Sequence, residues 1–270
     1  MIEMDKYFDT NLKHWNELVD VHTDKNRYNL DDFMKNPNSL HSVELDALGD
    51  VQDKTLLHLQ CHFGMDSLSW AKLGAKVTAM DFSDKGIEFA TFLSEKLMIP
   101  ARFICSNIYD LPDVLDEKFD IVYTSYGALY WLPDIPTWAK IVSNFVKEGG
   151  IFFIAEFHPF SGVFDDDNKI DLIVRYPYFD IGEPMYFDED GSYADPSAKL
   201  RNTETYGWSH SLSMIINSLI DSGLTIQRFD EFPFSVDCLS QQMVKSKDGF
   251  YRLSEPVQEI PLMFSIKATK

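Results

Sequence analysis

Cysteine is scarce. Cys61, Cys105 and Cys238 are scattered, odd in number and without a C-x-x-C pair, so no disulfide framework exists and a reducing cytoplasm is the expected setting. No apolar run approaches the roughly 18 residues of a membrane span. The opening MIEMDKYFDT is acidic and lacks the basic-then-apolar pattern of a secretory leader. Basic residues are few as well: 24 Lys and Arg stand against 43 Asp and Glu, for a net charge of -19. With no local basic patch, such a surface repels a phosphate backbone, so no nucleic-acid partner is expected and a small molecule leads. The acid runs Asp165-Asp166-Asp167 and Asp188-Glu189-Asp190 read as solvated loops. G-x-S-x-G and Walker A are both missing, and no His/Cys/Asp set has metal-ligand spacing, so no metal site is expected.

What is present suits one large globular domain with a full core: 270 residues, 45% apolar and 25% charged. Residues 1–53 read as a helical N-terminal lid. Phe8, Leu12, Trp15, Leu18 and Val19 fall at helical spacing, and short helices are expected at Leu30–Phe33 and Val43–Leu48. Residues 54–270 alternate strands with helices. Strands are predicted at Leu56–Leu59, Lys76–Met80, Ala101–Cys105, Phe119–Thr124, Ile151–Ala155, Leu224–Phe229 and Leu262–Ala268. Asp66 and Ser67 read as a cap for the first helix between them, and Gly149-Gly150 as the end of the helix bearing Trp138, Ile141, Val142, Phe145 and Val146. Residues 159–208, rich in aromatic, Asp, Gly and Pro residues, break the rhythm as an insertion. The pattern predicts an α/β, Rossmann-like, seven-stranded, mostly parallel sheet with helices on both faces and the last strand antiparallel.

Four segments carry the chemistry. The turn Gln60–Gly64 joins a strand to a helix N-terminus, where N–H groups and the helix dipole favour an anion. The dinucleotide fingerprint G-x-G-x-x-G keeps only Gly64 here, which speaks against a pyrophosphate and for a nucleoside with an amino-acid end. Asp81 closes the second strand, 21 residues after Gln60. It reads either as an acceptor for both ribose hydroxyls or as a helix cap. Ser106-Asn107-Ile108 reads as an adenine-binding edge or as an ordinary turn. Ser125-Tyr126-Gly127-Ala128 follows the fourth strand at the ligand-binding edge of the sheet.

In order and spacing these motifs resemble those of class I S-adenosylmethionine-dependent methyltransferases. LLHLQCHFG stands at the glycine-rich first motif, VTAMDFS at the acidic second, CSNIYDLP at the adenine segment, and FDIVYTSYGALYWLPD with FVKEGGIFFIAEF at the fourth and fifth strands. The LQCHFG variant resembles one bacterial subgroup. The resemblance implies an enzyme using S-adenosylmethionine and releasing S-adenosylhomocysteine. It places Gln60, Cys61, His62 and Gly64 at the methionine part, Asp81 at the ribose, Asn107 and Ile108 at the adenine, and Ser125 and Tyr126 near the sulfonium, with Phe82 also expected to bind the cofactor. His58 stands where an acidic residue is common, and Gln60 and His62 replace glycines. Trp15, His22 and Tyr28 are candidates for closing the lid over the cofactor, or plain packing residues. The acceptor is expected to be a small molecule and the chain a monomer or homodimer. A silent binding module and an NAD(P)-dependent oxidoreductase are the competing readings.

His58, inside a strand, reads as buried and hydrogen-bonded. His158 and His210 are the candidate general bases, because imidazole titrates near neutrality. Phe160, Phe164, Tyr176, Tyr178, Phe179, Tyr186, Phe187, Tyr193, Tyr206 and Trp208 form either an acceptor pocket or the packing of the insertion.

Overall fold

Bulky apolar residues alternate along each inner strand, and that alternation requires cover on both sides of the sheet. A computed structural model describes residues 2–24, 28–165, 168, 171–192, 195, 197–255 and 259–270. Asp166, Asp167 and Tyr193 lie outside the described residues. Helices α1 (Ile2–Asp24), α2 (Leu30–Lys35) and α3 (Ser42–Leu48) precede β1 (Thr55–Leu59), α4 (Met65–Lys72), β2 (Lys76–Asp81), α5 (Asp84–Leu97), β3 (Arg102–Cys105), α6 (Leu111–Val114), β4 (Phe119–Ser125), α7 (Ile135–Phe145) and β5 (Val146–Phe157). The chain continues through β6 (Met185–Asp188), β7 (Glu204–Gly207), α8 (Leu212–Asp221), β8 (Thr225–Phe232), β9 (Met243–Lys245), β10 (Tyr251–Leu253) and β11 (Met263–Thr269).

The main sheet has the order β3-β2-β1-β4-β5-β11-β8. Strands β3 to β5 are parallel neighbours, and β11 runs antiparallel to both β5 and β8. This is the expected Rossmann-like sheet. Leu57, Leu59, Val122, Phe152 and Ile154 bury one face under Trp138, Val142 and Phe145 of α7 and Ile215 and Leu219 of α8. Leu56, Ile121, Tyr123, Phe153 and Ala155 bury the other under Trp70 of α4 and Leu48 of α3. Each such fully buried side chain contributes about 1.5–3 kcal/mol.

Three details differ from the sequence expectation. Helix α7 ends at Phe145, and β5 begins at Val146 rather than after Gly149-Gly150. Val146 pairs with Phe119 of β4 before the register shifts, so the two glycines sit inside the strand segment instead of ending a helix. The residue preceding α4 is Gly64, in the left-handed region at φ 83 with no side-chain cap, so Asp66 and Ser67 do not cap it. Finally, residues 159–208 hold an antiparallel pair, β6 with β7, and a second pair, β9 with β10, lies between β8 and β11.

Candidate functional site

The sheet order reverses between β1 and β4, and ligands bind open α/β sheets outside the strand ends at such a point. A cleft of about 1450 Å³ lies there. Trp15, Tyr28, Gln60, Cys61, His62, Gly64, Asp81, Phe82, Asn107, Ile108, Ser125, Tyr126, His158 and His210 all line it. Among the described residues no helix is long and apolar enough to cross a membrane, and no three His, Cys, Asp or Glu side chains are placed to share a metal ion.

The turn after β1 keeps a glycine-like backbone without the glycines. Gln60 has φ 59 and His62 φ 52, both left-handed, a conformation that costs an ordinary residue about 1–2 kcal/mol. Their side chains are tied down in return. Gln60 Nε2 donates to the Ala128 carbonyl at 3.0 Å, joining this turn to the one after β4. His62 Nε2 meets His22 Nδ1 at 3.0 Å, and its ring packs against Trp15 and Phe63. Burial and the neighbouring His22 hold His62 well below the usual imidazole range, so His62 is neutral. Gly64 is irreplaceable on two counts: its φ is positive, and a Cβ there would sit 2.8 Å from Ala90 Cβ and 2.9 Å from the Phe103 ring. Cys61 is buried, and burial pushes its thiol well up, so it is no nucleophile.

Asp81 is 7% exposed at the end of β2. One carboxylate oxygen accepts from His62 N–H at 2.8 Å and the other from Ser83 N–H at 2.9 Å. Burial raises its pKa to about 6. The cap of α5 is Ser83, whose Oγ accepts from Gly86 N–H. Asn107 Oδ1 accepts from Tyr109 N–H and caps the turn after β3, with Ile108 buried beside it.

Helix α1 lies across this edge. Asn11 exchanges two hydrogen bonds with the Tyr206 backbone on β7, while Asn16 bonds both Asp84 and Ser83. Trp15 stands 5.2 Å from Trp131 and 5.3 Å from His62, and Tyr28 packs on Phe63 at 5.0 Å.

His58 is buried and hydrogen-bonded as expected, within a polar cluster under the cleft that the sequence does not announce. Asp66 accepts from Ser39 Oγ at 2.5 Å and Ser125 Oγ at 3.1 Å, and burial raises its pKa. His58 Nδ1 meets Ser67 Oγ at 2.8 Å, and burial lowers this imidazole to about 3. Tyr126, strained at φ 34, donates its hydroxyl to Glu44 Oε2 at 2.6 Å. The other Glu44 oxygen accepts from His41 N–H. An Asp inside the first turn of α4 and a Glu at the third position of α3 look like ordinary helix-start residues, which hid both.

Burial lifts Glu44 to about 7 from an ordinary 4.5. The unfolded chain therefore releases this proton between pH 4.5 and 7 while the folded chain holds it, and stability falls across that window by up to ~3 kcal/mol. Glu44→Gln is expected to remove this part of the pH dependence and to melt higher than the parent at pH 8. Melting curves at pH 5 and pH 8 check it; a variant that tracks the parent at both would refute the assignment.

Glu156 also went unnoticed. It is 4% exposed at the end of β5. It accepts from the N–H groups of Gly127 and Phe157 on one oxygen, and of Ala128 and Leu129 on the other. Its one sequence signal is a lone charge in the apolar run IFFIAEF.

The candidate bases differ. His158 uses both nitrogens, Nδ1 accepting from Phe160 N–H at 3.0 Å and Nε2 donating to Glu231 at 3.0 Å. His210 donates Nε2–H to the Leu132 carbonyl at 2.7 Å, and its buried Nδ1 has no hydrogen-bond partner among the described residues. Burial keeps this ring below the usual imidazole range. In the insertion, Asp188, Glu189 and Asp190 are all exposed, as expected of a solvated run, although Asp188 closes β6 and Glu189 and Asp190 reach the cleft.

Residues 57–154 match the family model of a methyltransferase domain. That segment runs from β1 into β5 and includes the turns that build the cleft. A ubiquinone biosynthesis O-methyltransferase from Chromobacterium violaceum is 30% identical over 117 residues, covering 43% of this chain and 50% of that protein. An uncharacterized methyltransferase, YbaJ of Bacillus subtilis, is 24% identical over 71% of this chain and 74% of its own length. The chain thus spans about half the length of the ubiquinone O-methyltransferases it matches. The solved S-adenosylmethionine dependent methyltransferase from Mesorhizobium loti superposes with a TM-score of 0.59 at 18% identity, covering 84% of this chain and 96% of that one. The chain has the Rossmann-like methyltransferase fold.

Proposed function

We propose that the chain is an S-adenosylmethionine-dependent methyltransferase acting on a small-molecule acceptor in the cytoplasm, of the bacterial subgroup with LQCHFG at the first motif. The observation that carries this reading is the pairing, at the point where the sheet order reverses, of a left-handed Gln60–Gly64 turn with the Asp81 carboxylate. The buried atoms fit such a cofactor. Gln60 Oε1 is an acceptor with no hydrogen-bond partner among the described residues, suited to an ammonium group, and Asp81 offers an anionic acceptor to a ribose diol. Ile108 gives the adenine an apolar face, and Asn107 and Phe82 flank it. When bound, the cofactor supplies a methyl group on a sulfonium.

Methyl transfer asks the protein for alignment and exclusion of water. Residues 1–53 act as the lid, with Trp15, His22 and Tyr28 meeting His62 and Phe63 edge to face. Ser125 and Tyr126 close the floor under the methyl-donating end. Where the acceptor loses a proton, His158 and His210 are the candidate bases: both nitrogens of His158 are engaged, and His210 Nδ1, without a hydrogen-bond partner among the described residues, is buried and would have to be uncovered to act. Titration calorimetry with S-adenosylmethionine and S-adenosylhomocysteine tests the reading. Binding of both is expected. No heat and no shift in melting temperature with either would sink it.

A further inference from the structure

Helix α1 is attached on two sides, and both attachments are polar. On the side of the insertion, Asn11 donates Nδ2–H to the Tyr206 carbonyl at 2.8 Å and accepts from Tyr206 N–H at 2.9 Å. His14 donates Nδ1–H to the Asn202 carbonyl at 2.7 Å. Glu17 accepts from Arg201 N–H on one oxygen and from Asn202 N–H and Nδ2–H on the other. On the side of α5, Asn16 donates to Asp84 at 2.7 Å and accepts from Ser83 Oγ at 2.6 Å, and Lys85 pairs with Asp20 at 2.8 Å. One helix therefore ties β7 and its flanks, which line the cleft through Thr203, Thr205 and Trp208, to the edge that carries Asp81.

The grip is light for a helix of 23 residues. Its buried side chains, among the described ones, are Asn11, His14, Leu18, Val19 and His22, of which only Leu18 and Val19 are apolar. Helix α7, less than half as long, buries Ile135, Trp138, Ala139, Ile141, Val142 and Phe145. Hydrogen bonds that water replaces on release add little net stability beside buried apolar surface. A segment held in this way opens locally while the core stays folded.

What α1 covers is the place of the cofactor, given the methyltransferase reading on which this inference rests. Phe8 and Trp15 both line the cleft. Phe8 stands 6.0 Å from Tyr109, next to the Asn107-Ile108 segment, and Trp15 stands 5.3 Å from His62, at the methionine end. They are two helical turns apart on one face of α1, about 10 Å along its axis. A ligand lying between those ends touches α1 only when the helix is docked, so it favours docking, and it leaves only when the helix lifts.

We infer that α1 is a strap that lifts to let the cofactor in and out, freeing both walls of the cleft as it does, and that Asn16 and Glu17 are the positioning residues that set its rate. Neither side chain lines the cleft. Asp81 keeps its His62 and Ser83 N–H partners when Asn16 lets go, so the contacts with the ligand are spared.

The amides of Arg201, Asn202 and Tyr206 report the strap, because α1 side chains accept from all three and none of these residues lines the cleft. Their hydrogen exchange is followed by NMR in the full chain, with and without saturating S-adenosylhomocysteine. Association and dissociation of S-adenosylhomocysteine are followed by stopped-flow tryptophan fluorescence. In the parent, the ligand is expected to slow the three amides about ten-fold or more. Glu17→Ala and Asn16→Ala cut opposite attachments. Each is expected to speed Tyr206 exchange in the free protein and to raise both the association and the dissociation rate about three- to ten-fold, with Kd within about two-fold of the parent. Merely structural damage would instead raise the dissociation rate and Kd without faster association. An association rate unchanged in both variants would overturn the inference, as would Tyr206 exchange that responds neither to the ligand nor to Asn16→Ala. If S-adenosylhomocysteine does not bind at all, the methyltransferase reading falls. Tyr206 exchange in free Asn16→Ala then decides the strap by itself, faster exchange upholding it and parental exchange removing it.

Discussion

Asp81→Ala is expected to weaken S-adenosylhomocysteine binding by at least about a hundred-fold, because a hydrogen bond to a charged acceptor contributes about 1.5–3 kcal/mol and the ribose diol makes two. The carboxylate is held in place by the His62 and Ser83 N–H groups, so it meets the ligand without rearranging. Its titration adds a second, sharper expectation. Burial places Asp81 at about 6 in the free protein. Below that pH the free carboxyl is protonated and must lose its proton before it accepts from both hydroxyls. Affinity should therefore fall by up to ten-fold per pH unit below about 6 and be flat above 7. Asp81→Asn keeps the shape and one acceptor, and should abolish the slope while binding more weakly at every pH. Calorimetric titration from pH 5 to pH 8 reads both. An Asp81→Ala variant with parental affinity, or an Asp81→Asn variant with the parental pH profile, would remove the ribose assignment and with it the basis of the proposed function.

The parts of this site that sequence made legible are those in which one residue type has one physical use. An acid at the end of the second strand, and an unbroken apolar fifth strand, point to their places in the sheet. The strand pattern as a whole was legible because alternating apolar residues in parallel strands have little choice but burial on two sides. The turn was harder. Replacing glycines with Gln60 and His62 removes the usual sign of a left-handed backbone, yet φ stays at 59 and 52. The conformation is held by contacts distant in sequence, Ala128 for Gln60 and His22 for His62, which no local pattern reports. Residues 159–208 hid their strands for a related reason. Met185–Asp188 and Glu204–Gly207 are four residues each, separated by loop-type sequence, and pair only with one another. Within β7, Gly207 leaves room for the Tyr130 ring, which would overlap any Cβ at that position. Gly149-Gly150 misled in the other direction, since two glycines after a helical stripe match a helix end as well as they match an irregular strand start.

Glu156 is where the fold and the cleft depend on one side chain. Its two oxygens take four backbone N–H groups, three of them from the turn Gly127–Leu129. That turn begins at Tyr126 with φ 34, receives Gln60 Nε2 on the Ala128 carbonyl, and leads to Trp131 against Trp15 of the lid. Burial raises the Glu156 pKa while the four donors lower it, and they are what makes a carboxylate tolerable at this depth. Glu156→Gln is nearly isosteric, yet its amide nitrogen brings two hydrogens to face N–H groups that lose their acceptor. At about 1–3 kcal/mol for each buried donor left unmade, the cost is roughly 3–5 kcal/mol. For a chain of this size that corresponds to a melting temperature lower by about 6–15 °C. The released turn also lets go of Gln60, so S-adenosylhomocysteine affinity should fall in the same variant by about ten-fold, one hydrogen bond's worth. Glu156→Asp, with its shorter reach, should keep the charge but lose part of the set, and should fall between parent and Gln variant in melting temperature. A Glu156→Gln protein that melts within about 1 °C of the parent would show that these N–H groups find water or other carbonyls instead, and that the turn after β4 is held by its packing alone.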